Sequence, residues 1–216
     1  MKIPLLRCMF FLFVFAAECS ILAAAQSDIG LSAYGTFSSA AHATLVDSFA
    51  AYAEYLRPAN AAGGMLELRH IHSAWVGVEA TYSLNRANQL YLFTSSAPTP
   101  PFGRDYQSFP AYAHELTGDW IVSNHLTKSV RGFALAGVGI QITAPTNSPS
   151  GSPTATSTTP SYIYGFGTDW QMLRHIGLRA QYRGDIHKAP QIDTQLNSPN
   201  SFIHTAEPMV GVYYRF

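Results

Sequence analysis

Serine, histidine and acidic side chains at strand spacing are where this chain would carry chemistry. A serine nucleophile needs a base within hydrogen-bond reach, and residues i and i+2 of a strand share one face. His187 is followed at that spacing by Ala189, where a hydrolase would need serine. Ser123 and His125 have the spacing in the reverse order, beside a short turn. The Gly-x-Ser-x-Gly elbow of soluble hydrolases is absent. His70 and His72 share a strand face near a turn, a geometry that suits zinc or copper. The remaining histidines are scattered, with His125 and His175 in other short turns. Turn-exposed histidine is the simpler reading of all four. No catalytic residue, metal ligand or cofactor-binding residue is therefore assigned.

A second pattern is more extensive. Glu67, Arg69, Glu79, Glu115, Asp119, Asp169, Arg179, Arg183, Asp185, Glu207 and Arg215 fall at alternate positions of segments whose other positions are apolar. Period two is the signature of a strand with two unlike faces. In Tyr162 to Met172, Tyr162, Tyr164, Phe166, Thr168, Trp170 and Met172 share one face, opposite Gly165, Gly167, Asp169 and Gln171. In Ile176 to Asp185, Ile176, Leu178, Ala180 and Tyr182 alternate with Gly177, Arg179, Gln181, Arg183 and Asp185. Val76, Val78, Ala80, Tyr82 and Leu84 alternate with Gly77, Glu79, Thr81 and Ser83. Leu116, Trp120 and Val122 oppose Glu115, Thr117 and Asp119.

Eight such strands position these residues: roughly 29–37, 64–71, 75–84, 112–123, 130–143, 162–173, 176–186 and 205–216. Lengths near ten residues match tilted strands crossing a bilayer. Tyr162 and Trp170, eight residues apart, project to about 20 Å along the axis at a tilt of about 40°, the spacing of two aromatic girdles. The connections alternate long and short: 38–63, 72–74, 85–111, 124–129, 144–161, 174–175 and 187–204. An all-β, eight-stranded, antiparallel up-and-down transmembrane β-barrel gives that order, with long loops outside and short turns in the periplasm. A soluble lipocalin-like barrel would have the opposite polarity, apolar inside and polar outside. The first long connection holds Leu45, Phe49, Tyr52 and Leu56 at helical spacing, which suits a short amphipathic helix. The third, Pro145 to Pro160, is a low-complexity run expected to be solvated.

The eleven charged residues then face the lumen. Eight strands leave an interior just wide enough to be filled by side chains. Charges of both signs in so narrow a space should pair, which predicts a salt-bridge network plugging the lumen. A narrow gated pore is the alternative, although a selective pore would more often carry one sign.

The termini fix the compartment. Lys2 and Arg7, the apolar stretch Cys8–Ala17 and the small residues Ala23–Ala25 read as a cleaved signal peptide, 1–25, leaving a barrel domain, 26–216. A lipoprotein signal at Cys19 would need a small residue where Glu18 stands. Both cysteines lie in this leader, so the mature chain has neither disulfides nor thiolate sites. Of 13 basic and 13 acidic residues, the leader takes Lys2, Arg7 and Glu18, so no basic excess points to nucleic acid. The 12 tyrosines and 13 phenylalanines suit aromatic girdles.

The last strand, TAEPMVGVYYRF, ends on an aromatic, with Phe216, Tyr214, Val212 and Val210 on one face and Arg215, Tyr213, Gly211 and Glu207 on the other. This ending, the leader, the eight strands and the loop alternation resemble the small outer-membrane barrel superfamily of the OmpA membrane domain and OmpX-like proteins. Trp75 to Asn88 looks typical of its third strand. The resemblance implies residence in the outer membrane of a Gram-negative-type envelope, contact with outer-membrane lipid, and recognition by the barrel assembly machinery through Tyr214 and Phe216. It also implies a structural or surface-interaction role through the external loops, with an extracellular partner left unnamed. The chain ends at Phe216, without the periplasmic peptidoglycan-binding domain of full-length OmpA, so cell-wall tethering is not carried over. The alternative class is a porin-like small pore or transporter. A lipid A-modifying enzyme is less favoured, because the deacylases of similar architecture use a His-x-Ser pair with a Glu. The protein is expected not to be an enzyme.

Overall fold

The computed structural model describes residues 26–42, 52–73, 75–94, 104–146, 153–192 and 199–216, so the segment 1–25 expected as a leader lies outside it. Ten strands run in order: β1 (Gln26–Ser38), β2 (Ala41–His42), β3 (Tyr52–Pro58), β4 (Ala61–Ile71), β5 (Val76–Thr94), β6 (Arg104–His125), β7 (Val130–Pro145), β8 (Ser157–Gln171), β9 (Ile176–Lys188) and β10 (Phe202–Arg215). All pair antiparallel. Eight of them, β1 and β4 to β10, pair in chain order and close where β10 meets β1, with Ile29 opposite Tyr214 and Leu31 opposite Val212. Each of these eight thus has two neighbours, and among the described residues the closed wall leaves no free edge at the level of lipid. The Phe216 amide donates to the Ser27 carbonyl at 3.0 Å, sealing the seam at its end.

The two remaining strands extend the wall. β3 lies on the outer part of β5, Pro58 opposite Gln89, just past the point where β4 stops with Gly63 opposite Asn85. One extra residue on the β3–β4 side makes a bulge there. β2 pairs with β3, Ala41 opposite Leu56, and continues β1 past a break at residues 39–40. The barrel therefore has eight walls, the first two each kinked into a lower and an upper piece.

Gln26, Phe216 and the described residues of the three short turns, within 72–75, 126–129 and 172–175, gather at one rim. Amides of the turns bond back across them: Leu126 to the Val130 carbonyl and Leu173 to the Ile176 carbonyl, each at 2.9 Å. The described ends of the long connections lie at the opposite rim, in the alternation expected from the sequence.

The upper ends differ from expectation. β5 has 19 residues and β6 has 22, and they stay paired as far as Thr94 opposite Arg104. The segment expected as a connection, 85–111, is mostly strand. A strand of that length covers roughly 70 Å, or roughly 55 Å along the axis at a 40° tilt, against a hydrocarbon core of about 30 Å. The barrel continues well beyond a bilayer at the long-loop end. Likewise, Tyr52 and Leu56 belong to β3 and not to a helix, while Leu45 and Phe49 lie outside the described residues. Leu56 is buried in the upper apolar cluster, so its place in that spacing comes from an inward strand position rather than a helical face. The low-complexity run is also partly built in: Ser157–Pro160 starts β8, and the Ala155 amide donates to the Ile192 carbonyl at 2.8 Å.

Polarity inverts along the axis. In the lower part the outside is apolar, as at Leu66, Leu68, Leu116, Trp120, Val122, Phe166, Trp170, Val210 and Val212, all exposed. The inside there is charged. In the upper part the inside is apolar: Ala41, Leu56, Tyr91, Phe109, Ala189 and Ile203 form one buried cluster. On β5 the switch is direct: outward Tyr82 and Leu84 are followed by outward Arg86 and Asn88. The lower segment is built for lipid and the upper for water, each on the same period-two backbone.

Candidate functional site

The inward face of the lower barrel carries charge in two layers. Near the turn rim, Arg179 of β9 donates to Asp169 at 2.7 Å, to Asp28 at 3.0 Å and to Glu67. Arg69 of β4 pairs with Glu79 at 2.6 Å and Asp169 at 3.0 Å. Register creates these meetings. Arg69 stands opposite Glu79 across β4–β5, and Asp169 opposite Arg179 across β8–β9. Glu67 also accepts from the Ser32 hydroxyl at 2.5 Å. Planar guanidinium groups suit the layer because each serves several carboxylates at once. Their faces are covered too: Arg69 lies 4.1 Å from the Phe133 ring centre, and Arg179 lies 5.2 Å from that of Tyr213. Tyr213 can lie there because Gly177 leaves room beneath its ring, where a Cβ would collide.

Farther from that rim, Arg183 bridges Glu115 and Glu207, the latter at 2.6 Å. Arg183 and Glu207 face each other across β9–β10. Between the layers sit Tyr34, Met65 and Met209. Above the Arg183 layer a cavity of about 20 Å³, bordered by Ser83, Asn85, Gln141, His187 and Thr205, has room for about one water. The apolar cluster that includes Leu56, Tyr91, Phe109 and Ile203 lies above it. Another apolar group, Ile71, Ile121, Phe133, Leu135 and Ile163, runs along the bore from the turn end, at Ile71, to the level of Arg183 and Asp185, at Leu135 and Ile163.

Of the residues singled out in the sequence, Glu67, Arg69, Glu79, Asp169 and Arg179 meet in the first layer, and Glu115, Arg183 and Glu207 in the second. Asp119 accepts from the Thr117 hydroxyl at 2.9 Å, and Asp185 is bonded to His187 Nδ1 at 2.6 Å. Arg215 is half-buried at the rim and donates to the Gln171 side chain at 2.5 Å rather than to a carboxylate. Tyr214 stacks beside His175, and Phe216 packs edge-on against Tyr214, both outside. Asp28 and Arg131 also face inward and were missed, and His187, weighed only as a candidate base, faces inward as well. Asp28 shares the inward phase of β1 but precedes the first expected strand by one residue. Arg131 follows the same phase in β7, where it donates to the Gln26 side chain at 3.0 Å.

The candidate chemical pairs do not assemble. Ser123 is buried while His125 is exposed and bonded to Arg131 at 3.1 Å. Ala189 follows His187 into the apolar cluster. Ser161 stands opposite His187 across β8–β9, with Asp185 behind, a grouping no local spacing could reveal. Its hydroxyl makes no hydrogen bond to that histidine. Apolar side chains above and ion pairs below separate the trio from both rims. His70 bonds the Ser27 hydroxyl at 2.9 Å. Among the described residues no group of three His, Cys, Asp or Glu is placed to hold a metal.

No protein-family model matches the chain, and no curated protein matches its sequence. Solved structures do match its shape. Neisserial surface protein A is 12% identical, with a TM-score of 0.58, over 90% of this chain and 100% of that one. Ail, the attachment invasion locus protein of Yersinia pestis, in complex with the heparin analogue sucrose octasulfate, is 13% identical with a TM-score of 0.52, again over 90% and 100%. The outer membrane protein OprG of Pseudomonas aeruginosa is 12% identical with a TM-score of 0.51, over 88% and 95%. The fold is that of the small eight-stranded outer-membrane barrels.

Proposed function

We propose that this chain is an integral outer-membrane barrel with a sealed lumen, acting as a structural or surface-interaction protein through its outer extension and long connections. One observation carries the reading: the bore is filled at successive levels by apolar side chains and by buried arginine–carboxylate layers, with about 20 Å³ between the upper layer and the cap. A hydrated ion needs a continuous wet path, which these levels interrupt. The upper barrel holds its own apolar core, so it presents a rigid platform for the long connections. A partner outside the cell would meet that platform first. Residues 1–25 act as the export signal and are removed. Tyr214 and Phe216, outward at the closing seam, are the signal read by the assembly machinery. The protein carries out no catalysis.

The test is planar-bilayer conductance of refolded residues 26–216, with insertion verified by heat-modifiable gel mobility. Folded protein without steady openings supports the sealed barrel. Reproducible openings altered by Arg183→Gln would replace it with a small pore.

A further inference from the structure

Charge is sorted between the two faces of the wall. Every acidic residue whose side chain is described, Asp28, Glu67, Glu79, Glu115, Asp119, Asp169, Asp185 and Glu207, is buried inside, at no more than 5% exposure. Arg57, Arg86, Lys128, Arg174 and Lys188 are exposed. The described outer surface is therefore cationic, although the whole chain has a formal net charge of zero.

Arg86 is the best placed of these cations. It follows Leu84 on the outward face of β5, at the level where that face turns from apolar to polar. From Val76 to Leu84 the apolar face spans about 20 Å along the axis at a 40° tilt, close to the height of a lipid-facing band. Arg86 thus sits at the outer headgroup level. Its guanidinium lies 5.5 Å from the Tyr112 ring centre on the neighbouring strand. Its donors meet no carboxylate among the described residues. Tyr112 also neighbours His114, which is bonded to the Tyr82 hydroxyl at 2.8 Å. Arg57 adds a second exposed cation farther out, opposite Leu90 of the same strand. An oriented guanidinium beside aromatic rings with polar tips, directly above an apolar wall, matches a phosphate whose acyl chains lie along that wall.

We propose that Arg86, with Tyr112, Tyr82 and His114, forms an outward site for the phosphate of an anionic lipid in the outer leaflet. The apolar wall below distinguishes lipid from a soluble anion as the occupant, because only lipid fills both parts. This goes beyond the sealed-barrel reading and would hold for a conducting barrel as well.

The experiment is native mass spectrometry of the refolded mature protein, released from micelles holding equal phosphatidylglycerol and phosphatidylcholine. Wild type should retain phosphatidylglycerol preferentially. One cation at an anionic surface corresponds to roughly a fivefold preference, so Arg86→Gln should reduce the ratio by about that factor. Tyr112→Leu should reduce it less, and the Lys128→Gln/Arg174→Gln pair at the other rim should leave it unchanged. Gel mobility verifies that each variant is folded. Equal retention of both lipids by wild type overturns the proposal, as does a preference that survives Arg86→Gln or follows Lys128 and Arg174. Loss of bound phosphatidylglycerol to millimolar inorganic phosphate would also overturn it, reassigning Arg86 to free anions.

Discussion

Replacing Arg179 with methionine tests whether the lumen is held by its ion pairs. Its guanidinium serves Asp28, Glu67 and Asp169, with Glu79 at 3.7 Å. Methionine fills much of the stem volume but donates nothing. Removing one partner of a buried pair costs about 3–5 kcal/mol, because the other charge stays buried and uncompensated. Three carboxylates lose a donor here. Asp169 retains Arg69, and Glu67 retains the Ser32 hydroxyl, so Asp28 is the most exposed to the loss. The expected destabilisation is at the upper end of that range, about 4–5 kcal/mol, a large share of the 5–15 kcal/mol typical of a domain. Urea titration of the refolded protein in vesicles reads it, provided the slope is unchanged. Arg215→Met is the control: among the described residues that guanidinium hydrogen-bonds Gln171 and no carboxylate, and lies 5.3 Å from the Tyr213 ring centre, so its loss should cost about 1 kcal/mol or less. Adding Asp28→Asn and Glu67→Gln to Arg179→Met should restore at least half the loss, since neutral groups no longer need the cation. An Arg179→Met midpoint within about 1 kcal/mol of wild type would refute this reasoning, as would a triple variant no better than the single one.

Phe109→Ala opens the apolar cap and should cost about 3–5 kcal/mol. That loss should be local, so hydrogen exchange should accelerate in residues 104–110 and 89–92 while the membrane-level strands stay protected. Gly177→Val would drive a side chain into the Tyr213 ring and should destabilise by about 1–3 kcal/mol, read by the same urea titration. Removing Phe216 should sharply lower outer-membrane levels in cells but leave unassisted refolding in vesicles nearly intact. Equal failure in both would assign Phe216 to stability rather than to assembly.

The lower barrel was legible because each strand there obeys one rule over its whole length. Outward residues meet lipid and inward residues meet a polar bore, so Tyr162 to Gln171 and Ile176 to Asp185 give unambiguous phases, and the phase names the lumen residues. What the phase could not name was partnership. That Arg179 reaches Asp28 and Glu67, 151 and 112 residues away in sequence, follows only from barrel closure. Arg215 shows the same limit from the other side. It has the inward phase but stands at the last residue of its strand, where a glutamine and the rim are its surroundings.

The upper barrel was hidden for a different reason. Its strands keep period two but exchange its meaning: Ala87, Gln89 and Tyr91 point inward, and Arg86, Asn88 and Leu90 outward. Read as a continuation of the lipid-facing pattern, such a segment looks like a break, and its prolines and serines strengthen that impression. Physically it is a continuation, because β-sheet hydrogen bonding does not depend on which face is wet. The inversion point is then information in itself. On β5 it falls between Leu84 and Arg86, which sets the outer boundary of the apolar band from sequence alone. It also explains why a filled bore and a cationic exterior occur together. Acids drawn inside to neutralise Arg69, Arg179 and Arg183 leave outward Arg86 without a carboxylate among the described residues, and anionic headgroups are the counter-charge that the proposed site would supply.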